Sequence, residues 1–179
     1  MHATIGDHLA DLVHNAIEAD ATKVELRLQT GNGSIAAEVR DNGKGMSPEE
    51  TRQACSPFFS SPSKHLGRKI GLGLSFLKQT VQTVGGSMDL ESRPRQGTRV
   101  RFSLPESHID TPPMGDLPDL FVTLLASRPG CSVTLWRETP RGEYQIDTER
   151  LFSCSDDLFR PSALSRARTL LNTHEEAIR

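Results

Sequence analysis

The stretch of sequence that decides the fold is short, polar and rich in glycine: Asp41-Asn42-Gly43-Lys44-Gly45-Met46. It directly follows a run of alternating apolar and polar residues, so we expect it to begin where a β-strand ends. A carboxylate at such a strand end can accept a hydrogen bond from the exocyclic amine of adenine, where guanine carries a carbonyl. Gly43 and Gly45 would let the backbone approach a base closely, because a Cβ atom would block that approach. On its own the pattern also occurs in calcium loops and ordinary turns, so the prediction depends on the segments around it.

A helix is predicted before this segment, from about Ile5 to Ala19. Its apolar residues recur at helical spacing and form one stripe: Ile5, Leu9, Leu12, Val13, Ala16 and Ile17. Asp11 and Asn15 lie four residues apart and therefore share another face of the helix. An asparagine oxygen can complete the shell of a Mg²⁺ ion beside nucleotide phosphates, and a carboxylate one turn earlier can orient or deprotonate a nucleophile. The alternative for Asp11 is that it only caps or solvates the helix.

A second glycine-rich motif, Gly71-Leu72-Gly73-Leu74, begins a helix that is predicted to extend to Val84. Glycines that open a helix expose free N–H groups and the positive end of the helix dipole, both of which favour phosphate binding. Without other motifs, such a segment is more often an ordinary helix start. The preceding residues, 60–69, show no hydrophobic periodicity and are predicted to form a mobile, basic loop.

Four runs with period-two alternation predict four β-strands that share one apolar and one solvated face. Two of them, residues 24–28 and 35–40, flank the turn Gly31-Asn32-Gly33, and the other two comprise residues 88–91 and 99–104. The shared pattern predicts one mainly antiparallel sheet with helices on a single side.

The composition changes after the fourth of these strands, where a connector rich in proline and aspartate begins. A helix over residues 117–125, a hairpin around Pro140-Arg141-Gly142 and a last helix over about residues 162–178 are predicted after it. We therefore divide the chain into a first part, 1–106, and an extension, 107–179. Because about 70 residues are few for an independent core, the extension is expected to pack on the first part.

Taken in order, the three motifs around Asn15, Asp41 and Gly71 resemble those of the gyrase, chaperone, histidine kinase and MutL ATPase superfamily, which has the Bergerat nucleotide-binding fold. The resemblance covers residues 5–105, and it includes Pro57-Phe58-Phe59, which is similar to the F-box, and Gly97-Thr98 in the closing strand. It implies a two-layer α/β sandwich in which a mixed, mainly antiparallel sheet is backed by helices. The second half of this region most resembles a histidine kinase, whereas the segment around Asn15 is as similar to mismatch-repair MutL. The chain as a whole is similar to small stand-alone histidine kinase-like ATP-binding proteins of bacteria.

The resemblance implies a role for each matching residue. Asn15 corresponds to the asparagine that chelates Mg²⁺, Asp41 to the aspartate that recognises adenine, and Asp11 to an acidic general base found in some members. Thr98 corresponds to a threonine that helps to hold that aspartate and adenine through water. Further contacts with ATP are expected from the matching loop and helix-start residues: Gly43, Gly45, Met46, Lys69, Gly71, Leu72, Gly73 and Leu74. Lys69 departs from the kinase pattern, which usually has glycine there; the lysine would either add a cation for the phosphates or indicate a less complete lid.

Composition limits the classes of partner. The formal net charge is −2, which disfavours a generic nucleic-acid-binding protein, and no apolar run approaches the roughly 18 residues of a membrane span. The three cysteines, Cys55, Cys131 and Cys154, lie far apart, which excludes a four-cysteine zinc site and favours free thiols in the cytoplasm. Neither a nucleic acid nor a membrane is therefore expected as a partner, and a cytoplasmic location is expected.

Three functions are compatible with these observations. The first is a protein kinase of histidine-kinase or anti-sigma-factor type, which transfers the γ-phosphate of Mg-ATP in signal transduction. No dimerisation helix with an acceptor histidine precedes the predicted helix of Asn15 in this sequence, so the phosphoacceptor is expected on a separate protein partner, and a homodimer is also allowed. The second function is an ATP-gated switch with slow hydrolysis, and the third is a nucleotide-sensing adaptor without turnover.

Overall fold

The computed structural model describes residues 4–54, 73–126, 130–151 and 161–179. The described residues contain six strands: β1 (Lys23–Gly31), β2 (Ser34–Asp41), β3 (Ser87–Ser92), β4 (Thr98–Pro105), β5 (Ser132–Thr139) and β6 (Gly142–Asp147). Their helices are α1 (Ile5–Glu18), α2 (Pro48–Gln53), α3 (Gly73–Thr83), α4 (Leu117–Leu125), α5 (Thr148–Leu151) and α6 (Pro161–Ala177). Among these helices, none is long and apolar enough to cross a lipid bilayer.

All six strands form one mixed sheet, in the order β3-β4-β2-β1-β5-β6. Every neighbouring pair is antiparallel except β1 and β5, which run parallel with Leu26 opposite Leu135. The alternation within the strands buries one face of the sheet, so that Leu26, Val39 and Phe102 are buried, whereas Arg27 is exposed. The prediction of an α/β fold with a mixed, mainly antiparallel sheet backed by helices is confirmed.

The N-terminus of α1 is tied to the connector that precedes α4. Thr4 is the N-cap of α1 and forms a reciprocal capping box with Asp7, with N–H to oxygen distances of 2.9 and 3.1 Å. The next two N–H groups, those of Ile5 and Gly6, donate to the carbonyl oxygens of residues 113–114 at 2.9 and 3.1 Å. Since the first turn of a helix has no internal partners for these donors, the connector completes the cap of the helix that carries the candidate metal ligand.

The extension continues the sheet of the first part. Its hairpin, β5 and β6, is added at the edge of β1, and its helix α4 packs against α1 and α6. Phe121 and Leu124 of α4 lie in the same hydrophobic core as Leu9 of α1. Because one core includes residues from both parts, the division into 1–106 and 107–179 stays a prediction.

Candidate nucleotide site

Asp41 is the last residue of β2, and its half-buried carboxylate is held from one side. Oδ1 accepts hydrogen bonds from the backbone N–H groups of Gly43, at 2.7 Å, and Thr98, at 3.3 Å. Among the described residues, Oδ2 has no hydrogen-bond partner. The described residues therefore hold the carboxylate through one oxygen, and the other is predicted to accept a hydrogen bond from a ligand.

The environment of Asp41 also changes its titration. Burial raises the pKa of the Asp41 carboxyl above its ordinary value, while the hydrogen bonds from Gly43 and Thr98 lower it and compensate only in part. The carboxyl is therefore protonated at a higher pH than an exposed aspartate would be. Protonation would convert one of its oxygens from an acceptor to a donor.

The glycines of the loop after β2 are required by the protein's own backbone. Gly45 has a φ of +62°, and a Cβ atom there would lie 1.9 Å from the carbonyl oxygen of Arg93. A Cβ atom on Gly43 would lie 2.6 Å from the carbonyl oxygen of Ala19, which also accepts the N–H of Lys44 at 2.9 Å. The loop is thus wedged between the end of α1 and the β3–β4 turn. The close approach to a base, which the sequence suggested for these glycines, stays a prediction.

Two polar side chains that no motif singled out hold this loop in place. Asn42 accepts hydrogen bonds from the N–H groups of Thr22 and Lys23, both at 2.9 Å, and so ties the loop to the start of β1. Ser92, at the end of β3, accepts the N–H of Met46 at 2.9 Å. The only signal for either residue was its position directly after or before a turn, which is too common to select it.

Asp11 and Asn15 lie on one face of α1 and are half-buried. A Cβ atom on Gly73, the first residue of α3, would lie 2.8 Å from Oδ2 of Asp11, so this carboxylate sits at the N-terminus of α3. The side-chain amide of Asn15 makes no hydrogen bond to any described residue, and its role as a metal ligand stays a prediction. Within the described ranges, no three His, Cys, Asp or Glu side chains form a group that could hold a metal. Asn15 fits a Mg²⁺ ion bound chiefly through phosphates and water.

The structure brings the predicted base-binding residues together at one end of the sheet. Gly43 and Thr98 contact Asp41, Gly45 follows in the same loop, and the N–H of Met46 is anchored near Thr98. In the helical layer, Gly73 lies beside Asp11, and Leu74 packs against the core. Other predicted residues lie outside the described ranges: Lys69, Gly71, Leu72, the segment Pro57-Phe58-Phe59 and the basic segment 60–69.

Comparison with known proteins identifies the family of the chain. The family model for the histidine kinase-, DNA gyrase B-, and HSP90-like ATPase matches residues 4–108. The sensor histidine kinase ZraS of Klebsiella oxytoca is 32% identical over 100 residues, which are 54% of this chain and 21% of that protein. The sensor-type histidine kinase PrrB of Mycobacterium leprae is 38% identical over 98 residues, which are 52% of this chain and 21% of that protein. This chain thus spans about a fifth of the length of these curated relatives.

A solved structure extends the likeness in fold beyond the matched region. The N-terminal domain of a DNA repair protein superposes with a TM-score of 0.54 at 19% identity, over 81% of this chain and 52% of that chain. At this identity the likeness concerns the fold alone. Because the family model covers more than half of the residues, the chain belongs to the family of histidine kinase-, DNA gyrase B- and HSP90-like ATPases.

Proposed function

We propose that this chain binds Mg-ATP and transfers the γ-phosphate of ATP to a side chain of a separate protein in signal transduction. The observation that carries the proposal is the carboxylate of Asp41, in which Oδ1 is held by two backbone N–H groups while Oδ2 has no partner among the described residues. An acceptor fixed in this way suits the exocyclic amine of adenine. The family match supports ATP binding, and the similarity to sensor histidine kinases supports phosphate transfer to a protein.

The phosphates of ATP would lie between α1 and the start of α3. Gly73 begins α3, and the free N–H groups and dipole of a helix N-terminus favour anions. Lys69 and Gly71 precede it in the sequence and would add a cation and further N–H groups. Mg²⁺ is usually held by phosphates, waters and one or two protein oxygens, of which Asn15 would supply one. The ion, when bound, would neutralise charge on the phosphates.

In the proposed transfer, a nucleophile of the acceptor protein forms a bond to the γ-phosphorus while the bond to the bridging oxygen breaks, so that ADP leaves. Asp11 would take up the proton that the nucleophile gives up. The position of Asp11 supports this role, because its carboxylate lies against Gly73 at the N-terminus of α3, where the phosphates would bind. The same position also suits a carboxylate that only stabilises the helix terminus, and the two roles differ in their effect on turnover.

An ATP-gated switch with slow hydrolysis is the second candidate function, and one set of contacts favours it. The helix that carries Asn15 is capped at Ile5 and Gly6 by the carbonyl oxygens of residues 113–114. A nucleotide that shifts α1 would therefore also displace the start of the extension, which would change the surface presented to a partner.

The deciding experiment is incubation of the protein with ATP labelled in its γ-phosphate, together with a cell extract. Label that appears on another protein supports the kinase, and label released as free phosphate supports the switch with hydrolysis. If ATP binds but neither product forms, the protein is a nucleotide-sensing adaptor. The matched control is Asn15→Ala, which should abolish both products if they come from this site.

A further inference from the structure

Three polar groups lie within hydrogen-bond distance of the Ser92 hydroxyl at the end of β3. Its Oγ accepts the backbone N–H of Met46 at 2.9 Å and donates to the carbonyl oxygen of Gly97 at 3.0 Å. It also lies 2.9 Å from Oγ1 of Thr98. Asp41, Ser92 and Thr98 line one groove, and the backbone N–H of Thr98 donates to Asp41. Ser92 is thus in direct contact with a residue that touches the candidate adenine-binding carboxylate.

The single proton of the Ser92 hydroxyl determines the direction of the bond to Thr98. A serine hydroxyl has one hydrogen to donate and two lone pairs to accept with. If the hydrogen is donated to Gly97, the lone pairs can accept from Met46 and from the Thr98 hydroxyl, and all three contacts are satisfied. If the hydrogen is instead donated to Thr98, the contact with Gly97 has no hydrogen in it. The first arrangement is therefore favoured, and in it the Thr98 hydroxyl gives its only hydrogen to Ser92.

We propose that Ser92 is a positioning residue for base selection, because it holds the Thr98 hydroxyl as a hydrogen-bond acceptor toward the groove. Thr98 Oγ1 would then be a second acceptor, beside the Asp41 carboxylate, in the groove that both residues line. Such a pair suits a base with an exocyclic amine, directly or through a water molecule, and opposes a base with a carbonyl at that position. This inference rests on the proposed binding of adenine nucleotides.

The test compares ATP with inosine triphosphate, in which a carbonyl replaces the exocyclic amine and the adjacent ring nitrogen carries a hydrogen. In Ser92→Ala, the Thr98 hydroxyl loses its acceptor and can rotate to donate toward the base. The measured quantity is the dissociation constant of inosine triphosphate divided by that of ATP, both from calorimetry. This ratio should fall about tenfold, which is the factor that one hydrogen bond can contribute. A role confined to holding the loop would weaken the binding of both nucleotides equally and leave the ratio unchanged.

Four further variants make the test specific. Ser92→Thr keeps the hydroxyl and should keep the ratio of the parent. Ser87→Ala removes an exposed serine from the other end of β3 and should also keep it. In a Thr98→Val background, Ser92→Ala should change the ratio no further, because its effect passes through the Thr98 hydroxyl. Ser92→Cys retains a side chain of similar shape with a weak donor, and it replaces Ser92→Ala if that variant does not fold.

The outcomes separate this inference from the proposed function. If the parent does not bind ATP, the proposed function is wrong and the inference fails with it. If the parent prefers ATP but Ser92→Ala keeps the ratio, or changes it as much in the Thr98→Val background, the inference is wrong and the proposed function stands. The inference is supported if the ratio falls in Ser92→Ala and is retained in Ser92→Thr. In the Thr98→Val background, Ser92→Ala should then leave the ratio unchanged.

Discussion

Replacing Asp41 with asparagine should remove adenine binding without unfolding the protein. In the parent, the N–H groups of Gly43 and Thr98 donate to Oδ1 of Asp41. In Asp41→Asn, the amide oxygen can take the place of Oδ1 and accept both. The atom in the place of Oδ2 becomes an NH₂ group, so that a donor faces the amine donor of adenine. The lost hydrogen bond and the two unpaired donors should together weaken binding by about 2 kcal/mol or more, which is about 30-fold in the dissociation constant.

The assay is calorimetric titration with Mg-ATP, accompanied by urea unfolding of the free protein. Burial raises the pKa of Asp41 in the folded state, so ionisation of Asp41 costs stability above that pKa. The free energy of unfolding of Asp41→Asn at neutral pH should therefore be no lower than that of the parent. Asp110→Asn makes the same charge change at an exposed position of the connector and should leave ATP affinity unchanged. ATP affinity equal to the parent's in a folded Asp41→Asn would refute the assignment of the site.

Three further predictions concern the chemistry, the pH dependence and the loop. Asn15→Ala should weaken Mg-ATP binding and abolish turnover, whereas Asp11→Asn should keep affinity within a few-fold and slow single turnover about 100-fold; an unchanged rate would leave Asp11 with a structural role. ATP affinity should fall as pH falls through the raised pKa of Asp41, because the protonated carboxyl loses an acceptor. Asp41→Asn cannot titrate at this position, so its pH profile shows only the titration of the nucleotide and of other groups. Parallel pH profiles of the parent and Asp41→Asn would contradict the prediction. Gly97→Ala places a Cβ atom 1.9 Å from the Asp41 carbonyl oxygen at a φ of +79°, whereas Gly33→Ala has a φ of +75° and no neighbour within 4 Å. Urea unfolding should show Gly97→Ala to be less stable than Gly33→Ala by about 2 kcal/mol, and equal stabilities would refute the clash.

The elements of secondary structure could be predicted because their patterns are local. The helix predicted from about Ile5 to Ala19 is observed as α1, which ends one residue earlier, at Glu18. The strands of the first hairpin lie where period-two alternation placed them, and β2 ends at Asp41, the residue at which a strand end was expected. Hydrophobic periodicity reports which residues of one segment share a face, and this information is contained within the segment itself.

Contacts between distant segments could not be predicted from periodicity. The parallel pairing of β5 with β1 is an example, because the sequence contains the strands but not their order in the sheet. The buried Arg137 on β5 is another, because its ion-pair partner at 3.3 Å, Glu175, lies on α6. Charged side chains are rarely buried unless they are paired, and the partner is identified only by the tertiary fold.

The candidate site shows the same division. Asp41 and Gly43 were selected by residue type and position after a strand, and Thr98 by the family resemblance; hydrogen bonds to Asp41 place the three together. Ser92 and Asn42 were missed, since a serine before a turn and an asparagine after a strand are ordinary turn residues. Their roles depend on hydrogen bonds to the loop after β2 and to the start of β1, which only the folded arrangement defines.

The residues around Asp41 predict that an adenine nucleotide binds at the end of β2. The most direct test is calorimetric titration of the unmodified protein with ATP, with ATP and Mg²⁺, and with GTP and Mg²⁺. We expect ATP to bind, Mg²⁺ to strengthen its binding, and GTP to bind about tenfold more weakly or worse, because its carbonyl would face the fixed carboxylate. No binding of ATP, or equal affinity for GTP, would contradict the claim.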